Sequence, residues 1–310
     1  MDGRQSVAEI AKELELTQEE VRKNYDELEQ KGIVKGATIH INYKGFGYKA
    51  VAHVMIRIDP AQMDQFMTYL QKTPEVYSFY KSGPGGNTDV TLILKTLQQL
   101  DRVKDAIKSQ FSVSEIKTAI WTDVKEMHSN LAIVPSEITS IDYASDQMKT
   151  GKTGKMPRKT TVDEVDEKVA DRLSEDGRAP LDAIGKAAGI SAEAAKRRYE
   201  KLKRSGLMKV TIQIDPVRIG YRALGVFFAV TSHEDSFSII KQISAIPDII
   251  SIMKTSGDYD LQIYAMIRDI GHLLSIQDEL EKIRGISKMD MEVRQMLNKW
   301  PTPRQYISTF

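Results

Sequence analysis

The chain has 310 residues, enough for two or three domains at roughly 100–200 residues each. Its 41% hydrophobic and 28% charged residues exclude a disordered or fibrous chain. No apolar stretch reaches the roughly 20 residues that a membrane helix needs; there is no cysteine for a disulfide, a thiolate or a zinc site, and 44 basic against 43 acidic residues confine any nucleic-acid surface to a local patch.

Met1-Asp2-Gly3-Arg4 has no apolar core and is not a signal peptide. With the lack of cysteine, this points to a cytoplasmic protein. Residues 1–36 read as a truncated winged helix-turn-helix, in which Thr17-Gln18-Glu19-Glu20 is a capping box opening a helix. Residues 37–136 alternate strand and helix. The pattern gives a strand at 49–58, a helix with Met63, Phe66, Met67 and Leu70 on one face, and strands at 76–82 and 88–95. A helix carrying Leu100, Val103 and Ile107 and a strand at 116–126 complete it. The order βαββαβ is that of a ferredoxin-like domain, an antiparallel sheet with both helices on one face. The other face requires a cover, and a partner sheet is the economical one.

Residues 137–160 carry no apolar period, and the Lys, Thr and Gly run from Lys149 to Lys155 marks a tether. Residues 161–212 read as a complete winged helix-turn-helix. Val162, Val165, Val169 and Leu173 stripe a first helix; a second begins at Pro180 and stops at Gly189; Ser191 caps a third that Gly206 closes. Residues 213–310 repeat the ferredoxin-like pattern: strand 222–230, helix 236–246, strands 249–255 and 259–266, helix 270–284, strand 288–297.

The chain is thus written twice. Asp2-Gly3-Arg4 returns as Asp176-Gly177-Arg178, and Ile10, Tyr25, Leu28 and Gly32 return as Ile184, Tyr199, Leu202 and Gly206, all at an offset of 174. After a one-residue slip, Ile41, Gly47-Tyr48, Pro74 and Lys81 match Ile214, Gly220-Tyr221, Pro247 and Lys254. A two-residue insertion is then expected to align Asp89 with Asp260, giving the first copy the longer turn, from Gly83 to Asp89. The first copy has no counterpart of the first helix. Either it lacks that helix or the recorded start lies inside a longer reading frame.

Residues 191–205 hold Lys196, Arg197, Arg198, Lys201, Lys203 and Arg204 against Glu193 and Glu200, a charge of +4. In a helix-turn-helix such a helix suits phosphate contacts and groove reading, so Ser191 and these six basic residues are the candidate DNA contacts. The matching residues 17–31 carry −2, which argues against independent DNA reading by the first copy. Tyr25 and Tyr199 sit among apolar positions and read as core. Gly257, Asp258, Tyr259 and Asp260 form a candidate ligand edge, because glycine exposes backbone N–H groups and the carboxylates suit an amino group; a plain hairpin turn is the competing reading. No catalytic or metal-binding constellation appears: His40, His53, His128, His233 and His272 are scattered.

The chain, as a tandem of two units and over nearly its whole length except the linker, resembles the leucine-responsive regulatory protein (Lrp)/AsnC family of transcriptional regulators. The likeness rests on Glu175-Asp176-Gly177-Arg178, Leu202-Lys203-Arg204-Ser205-Gly206-Leu207, Asp215-Pro216, Gly220-Tyr221 and Ser256-Gly257-Asp258-Tyr259-Asp260, in that order and spacing. The resemblance implies an α+β protein: two copies of a winged helix-turn-helix plus a ferredoxin-like regulatory domain. It further implies double-stranded DNA as partner, a small-molecule effector of amino-acid type, homo-oligomers, and neither cofactor nor catalysis. Two other readings stay open. One is a siroheme-decarboxylase-like enzyme on the same scaffold, which would need Arg and His converging on a sheet face, a cluster not visible in the sequence. The other is a DNA-free interaction or adaptor protein.

Overall fold

A computed structural model describes residues 3–81, 87–126, 161–232, 236–301 and 307–308; the expected tether at 137–160, His128, His233 and most of the turn beginning at Gly83 lie outside them. The first half contains α1 (Val7–Glu13), α2 (Gln18–Gln30), β1 (Val34–Asn42), β2 (Ala50–Ile58), α3 (Met63–Lys72), β3 (Val76–Lys81), β4 (Asn87–Leu94), α4 (Gln98–Gln110) and β5 (Val113–Glu126). The second contains α5 (Glu164–Glu175), α6 (Leu181–Ala188), α7 (Ala192–Arg204), β6 (Met208–Ile214), β7 (Ala223–Thr231), α8 (Ser236–Ser244), β8 (Ile249–Ser256), β9 (Leu261–Ile267), α9 (Ile270–Glu281) and β10 (Ile286–Gln295). A two-residue strand, β11 (Ile307–Ser308), runs parallel to β1. The class is α+β.

Local chemistry fixes the helix starts. Ser6 with Glu9, Thr17 with Glu20 and Asp163 with Asp166 are reciprocal capping boxes that satisfy first-turn N–H groups. Each half has the strand order of a ferredoxin-like sheet, β5-β2-β4-β3 and β10-β7-β9-β8, and antiparallel pairing of β5 with β8 joins them into eight strands. Helices cover the outer faces: Phe66, Leu70, Val103 and Ile107 lie over β2 and β4, and Ile239, Ile243, Ile276 and Leu280 over β7 and β9.

The inner faces turn toward each other within the one chain, so each sheet is the other's cover. Two of the polar contacts between them are equivalent to each other. Trp121 Nε1 donates to Gln262 Oε1 at 3.0 Å, and Arg294 Nη2 lies 2.9 Å from Asp89 Oδ2. These are the same contact made twice. Val51 faces Trp121 as Leu224 faces Arg294, and Met55 faces Asp89 as Phe228 faces Gln262. The register corrects the expected insertion: Asp89 corresponds to Gln262, not to Asp260, and the first copy's turn is no longer than the second's. The apolar matches of β4 with β9 follow, Val90 with Ile263 and Leu94 with Ile267.

The wings depart further from the expected plan. β1 and β6 pair with each other, and Thr38 faces Thr211, its own equivalent, so a pseudo-dyad passes between them. The expected boundaries at 36/37 and 212/213 fall inside these shared strands. Each Asp-Gly-Arg turn docks on the other copy's wing. Gly3 N–H donates to Val210 O at 2.9 Å and Gly177 N–H to Ala37 O at 2.8 Å. A Cβ at either glycine would stand 2.9 Å from the opposing strand, so only glycine lets the backbones meet. Arg4 lies 5.0 Å over the Tyr199 ring and Arg178 4.9 Å over that of Tyr25. Among the described residues of the first copy, none forms a helix corresponding to α5. Val21 and Ala11 are buried, whereas Leu14, Leu16 and Leu28 stay exposed.

Arg294 is 3% exposed, so removing it strands a buried carboxylate. Arg294→Met should cost about 3–5 kcal/mol, and adding Asp89→Asn should return more than half of it. Urea unfolding midpoints of the two variants check this; equal losses would contradict it.

Candidate nucleic-acid interface and effector site

In the second half, α5, α6 and α7 enclose Val169, Leu173, Ile184, Ala195, Tyr199 and Leu202. This places α7 as the outer helix of the helix-turn-helix. Its N-cap is Ser191, whose hydroxyl accepts from Ala194 N–H at 3.2 Å. The basic residues of α7 divide into two groups. Arg198 Nη1 sits 2.7 Å from Asp163 and 2.8 Å from Asp166, and Lys201 Nζ sits 2.6 Å from Asp166. Asp166 is wholly buried, so these cations neutralise α5 and seat it. The hydrogen bond from Arg198 holds the Asp163 carboxyl below its ordinary range. Lys196, Arg197, Lys203 and Arg204 are exposed instead, with Arg197 only 3.9 Å from Glu193 across one helical turn. Sequence alone cannot make this division, because Arg197 and Arg198 are neighbours that leave the helix in different directions.

The equivalent face of α2 keeps Arg22 and Lys23 exposed among Glu19, Glu20, Asp26, Glu27 and Glu29. Tyr199 is buried and Tyr25 half-buried beneath Arg178, as core rather than groove contacts.

The four residues of the expected ligand edge do different things. Gly257 presses on the other half, where a Cβ would stand 3.0 Å from the Thr118 carbonyl. The Asp260 carboxylate accepts from Thr231 N–H at 2.7 Å and from its hydroxyl at 3.2 Å, tying the turn to the end of β7. Asp258 is exposed. Tyr259 turns inward: its hydroxyl donates to Asp290, its ring lies 5.4 Å from that of Phe228, and it lines a cavity of about 210 Å³ between the two halves.

Beside that cavity lies a charged cluster absent from the sequence reading. Asp89 meets His53 Nε2 at 3.2 Å and Arg294 at 2.9 Å; Arg294 also reaches Glu292 at 3.2 Å and lies over the rings of Tyr80 and Tyr264. Arg and His do therefore converge on a sheet face, correcting the expectation that they would not. Burial pushes the His53 pKa down, so the ring is neutral at pH 7. Burial raises Asp89, but the His53 hydrogen bond and Arg294 more than offset this and hold it ionised. Glu292 goes the other way, up to about 7, first through burial and then through repulsion from Asp89. The residues involved lie 203 positions apart, from Asp89 to Glu292, and only the facing of two sheets brings them together. Among the described residues no group of three His, Asp or Glu side chains could hold a metal ion, and no helix is long and apolar enough to cross a membrane.

Residues 162–203 match the model of the AsnC-type helix-turn-helix domain, and residues 225–294 that of the Lrp/AsnC ligand binding domain. The chain is 29% identical over 126 residues to the HTH-type transcriptional regulator FL11 of Pyrococcus horikoshii, covering 40% of this chain and 83% of that one. It is 31% identical over 126 residues to the HTH-type transcriptional regulator LysM of Saccharolobus solfataricus, covering 40% and 87%. The crystal structure of the siroheme decarboxylase NirDL superposes with a TM-score of 0.60 at 12% identity, over 97% of this chain and 86% of that one. That last likeness is one of fold.

The division of α7 is testable. Changing Arg198 and Lys201 together to Ala leaves Asp166 buried and unpaired and should cost about 3–5 kcal/mol. Changing Lys196 and Arg197 to Ala should stay within about 0.5 kcal/mol. Thermal unfolding followed by circular dichroism separates the two; equal stability of both variants would contradict it.

Proposed function

Because this chain belongs to the Lrp/AsnC family of transcriptional regulators, we propose that it is a sequence-specific DNA-binding regulator whose affinity for DNA responds to a small-molecule effector. The observation that carries this reading is the exposed basic face of α7, capped by Ser191 and held on a buried three-helix core. Lys196 and Arg197, near the start of the helix, are the proposed groove contacts, and Lys203 and Arg204 the phosphate contacts. Arg198 and Lys201 act through α5, by fixing the helix that presents the others. The acidic α2 is not a reader, since phosphate repels it. The protein works in the cytoplasm, without catalysis.

The effector site is proposed at the cavity between the halves, where the Gly257–Asp260 turn supplies Tyr259. A ligand there touches both halves at once, and the shared β1–β6 wing ladder connects that pairing to the DNA-binding helices. A two-fold operator needs two basic helices and each chain offers one, so the active species is at least a dimer of chains.

The enzyme reading has one observation in its favour, the fold likeness to a siroheme decarboxylase across both halves. Against it, Arg294 and His53 are buried and matched to Asp89, and cavities of about 100 and 210 Å³ between the sheets are too small for a tetrapyrrole unless the sheets part. A shift of the siroheme absorption bands on mixing with the purified protein would favour it.

The DNA reading predicts that Lys196→Glu with Arg197→Glu weakens a genomic operator fragment by well over tenfold in gel shifts, at about 1–3 kcal/mol per base contact. Arg22→Glu with Lys23→Glu should stay within about threefold, with a similar salt slope. Deleting residues 1–36 is not a clean substitute, because it removes Gly3, Arg4 and the start of β1 from the shared ladder. Light scattering should give at least twice the 35.0 kDa chain mass. Equal losses from the two pairs, or a monomer at micromolar concentration, would contradict the reading.

A further inference from the structure

Asp89 is a meeting point for the two halves. Its carboxylate, 1% exposed on β4 of the first half, lies 3.2 Å from His53 Nε2 on β2 and 2.9 Å from Arg294 Nη2 on β10. It is also hydrogen-bonded to the carboxyl of Glu292, two residues before Arg294 on the same strand. An ionised carboxyl only accepts, so a hydrogen bond between two carboxyl groups requires a proton on one of them. Asp89 is the ionised member: burial opposes its charge, but the His53 hydrogen bond and Arg294 outweigh it. Glu292 is therefore the donor, and its proton crosses from the second half to the first.

The charges around this contact balance, but each has its own place. Glu115 on β5 is matched by Lys117 at 3.1 Å and by Arg57 at 3.4 Å, and Asp290 by Lys288 at 3.2 Å. Arg294 serves both Asp89 and Glu292, the latter at 3.2 Å. Among the described residues, none of the other carboxyl, phenol or imidazole groups facing Glu292 changes charge near neutrality. The hydrogen bond from Lys117 holds Glu115 below its ordinary range, and that from Tyr259 does the same for Asp290. Burial pushes the Tyr259 hydroxyl up to about 12, raises Tyr264 and keeps His53 neutral. Glu292 alone is poised there, pushed up to about 7 by burial and by the charge of Asp89. Its side chain is 29% exposed and lines the cavity of about 210 Å³, so it can exchange its proton with solvent while the halves stay paired.

We propose that this proton is a clasp between the two halves: Glu292 gives it to Asp89, and losing it weakens their pairing. An ionised Glu292 would stand against the Asp89 carboxylate with one guanidinium shared between them, where little water screens the repulsion. The clasp needs neither DNA nor effector. A carboxyl raised above its unfolded value of roughly 4.3 stabilises the fold fully below that pH, and the contribution is lost as pH rises through about 7. Between pH 6 and pH 8 the folding constant should therefore fall by about tenfold. Acid tightens the pairing and alkali loosens it.

The test follows the glutamate carboxyl carbons of the isotope-labelled full-length chain by NMR across the pH range, with Glu292→Gln to identify the Glu292 signal. That signal should titrate near neutrality, and in Asp89→Asn it should move toward the ordinary carboxylate range, because the repelling charge is gone. Melting temperatures at pH 6 and 8 give a second reading. The wild type should melt lower at pH 8, and Glu292→Gln should lose that difference, since its amide donates to Asp89 with no proton to release. The variant should then melt above the wild type at pH 8, the opposite of what losing an ordinary ion pair to Arg294 would give. Glu115→Gln, on the same cavity but away from Asp89, should keep the wild-type dependence. Hydrogen-exchange protection of the Trp121 indole N–H, which crosses to Gln262, reports the pairing itself. It should fall from pH 6 to pH 8 in the wild type and stay level in Glu292→Gln. A Glu292 signal in the ordinary carboxylate range, a Glu292→Gln variant that melts below the wild type at pH 8, or the same pH dependence in both would overturn the proposal.

Discussion

Arg294 reaches out of the last strand of the second half to Asp89 in the first, in a space that excludes water, and the pairing of the two halves is arranged around keeping that guanidinium matched. A buried charge without its partner is among the costliest errors a fold can contain. The pseudo-equivalent crossing is neutral, Trp121 to Gln262. If two second halves met through this face, Arg294 would oppose Gln262 twice; if two first halves met, Trp121 would oppose Asp89 twice. Either arrangement leaves a buried ion unmatched. Only the mixed pair satisfies both crossings, so the halves are complementary rather than merely similar.

The same asymmetry runs through the molecule. At the wing, the Asp-Gly-Arg turns still exchange places symmetrically, because a backbone-to-backbone approach tolerates only glycine. Away from those contacts the copies have drifted apart. α7 is basic where α2 is acidic. The β5–β8 seam is zipped, whereas its counterpart between β3 and β10 is open: β10 ends at Gln295, and the chain then turns so that Trp300 pairs with Ile214.

Much of this was legible in the sequence, and the reasons are physical. Apolar periods of two and 3.6 record which face of each element is buried, so βαββαβ could be read twice, along with the helix starts at Thr17 and Ser191. Register was harder. Asp89 and Asp260 are the same residue type near the same turn, and only the ladder shows that Asp89 answers to Gln262. Pairing between the halves lay beyond reach, since apolar residues on both alternations of β2 say that two faces are covered without saying by what. For the site, net charge singles out α7 but cannot separate Arg197 from Arg198. The cluster of His53, Asp89, Glu292 and Arg294 left no local trace; four polar residues on three separate strands acquire meaning only when two sheets face each other. Within the Gly257–Asp260 turn, composition suggests one shared role, yet the fold divides it into a close contact, a tie to β7, an exposed tip and a cavity wall.

Both partners of the sheet-to-sheet pairing reside in a single polypeptide. An assembly of separate subunits obeys mass action, so its folded fraction falls as the cell makes less of it, and related subunits can exchange to form hybrids. Here each half meets the other at an effective concentration set by the connecting segment, independent of how many copies exist. The number of molecules per cell can drop to a handful without dissolving the pairing.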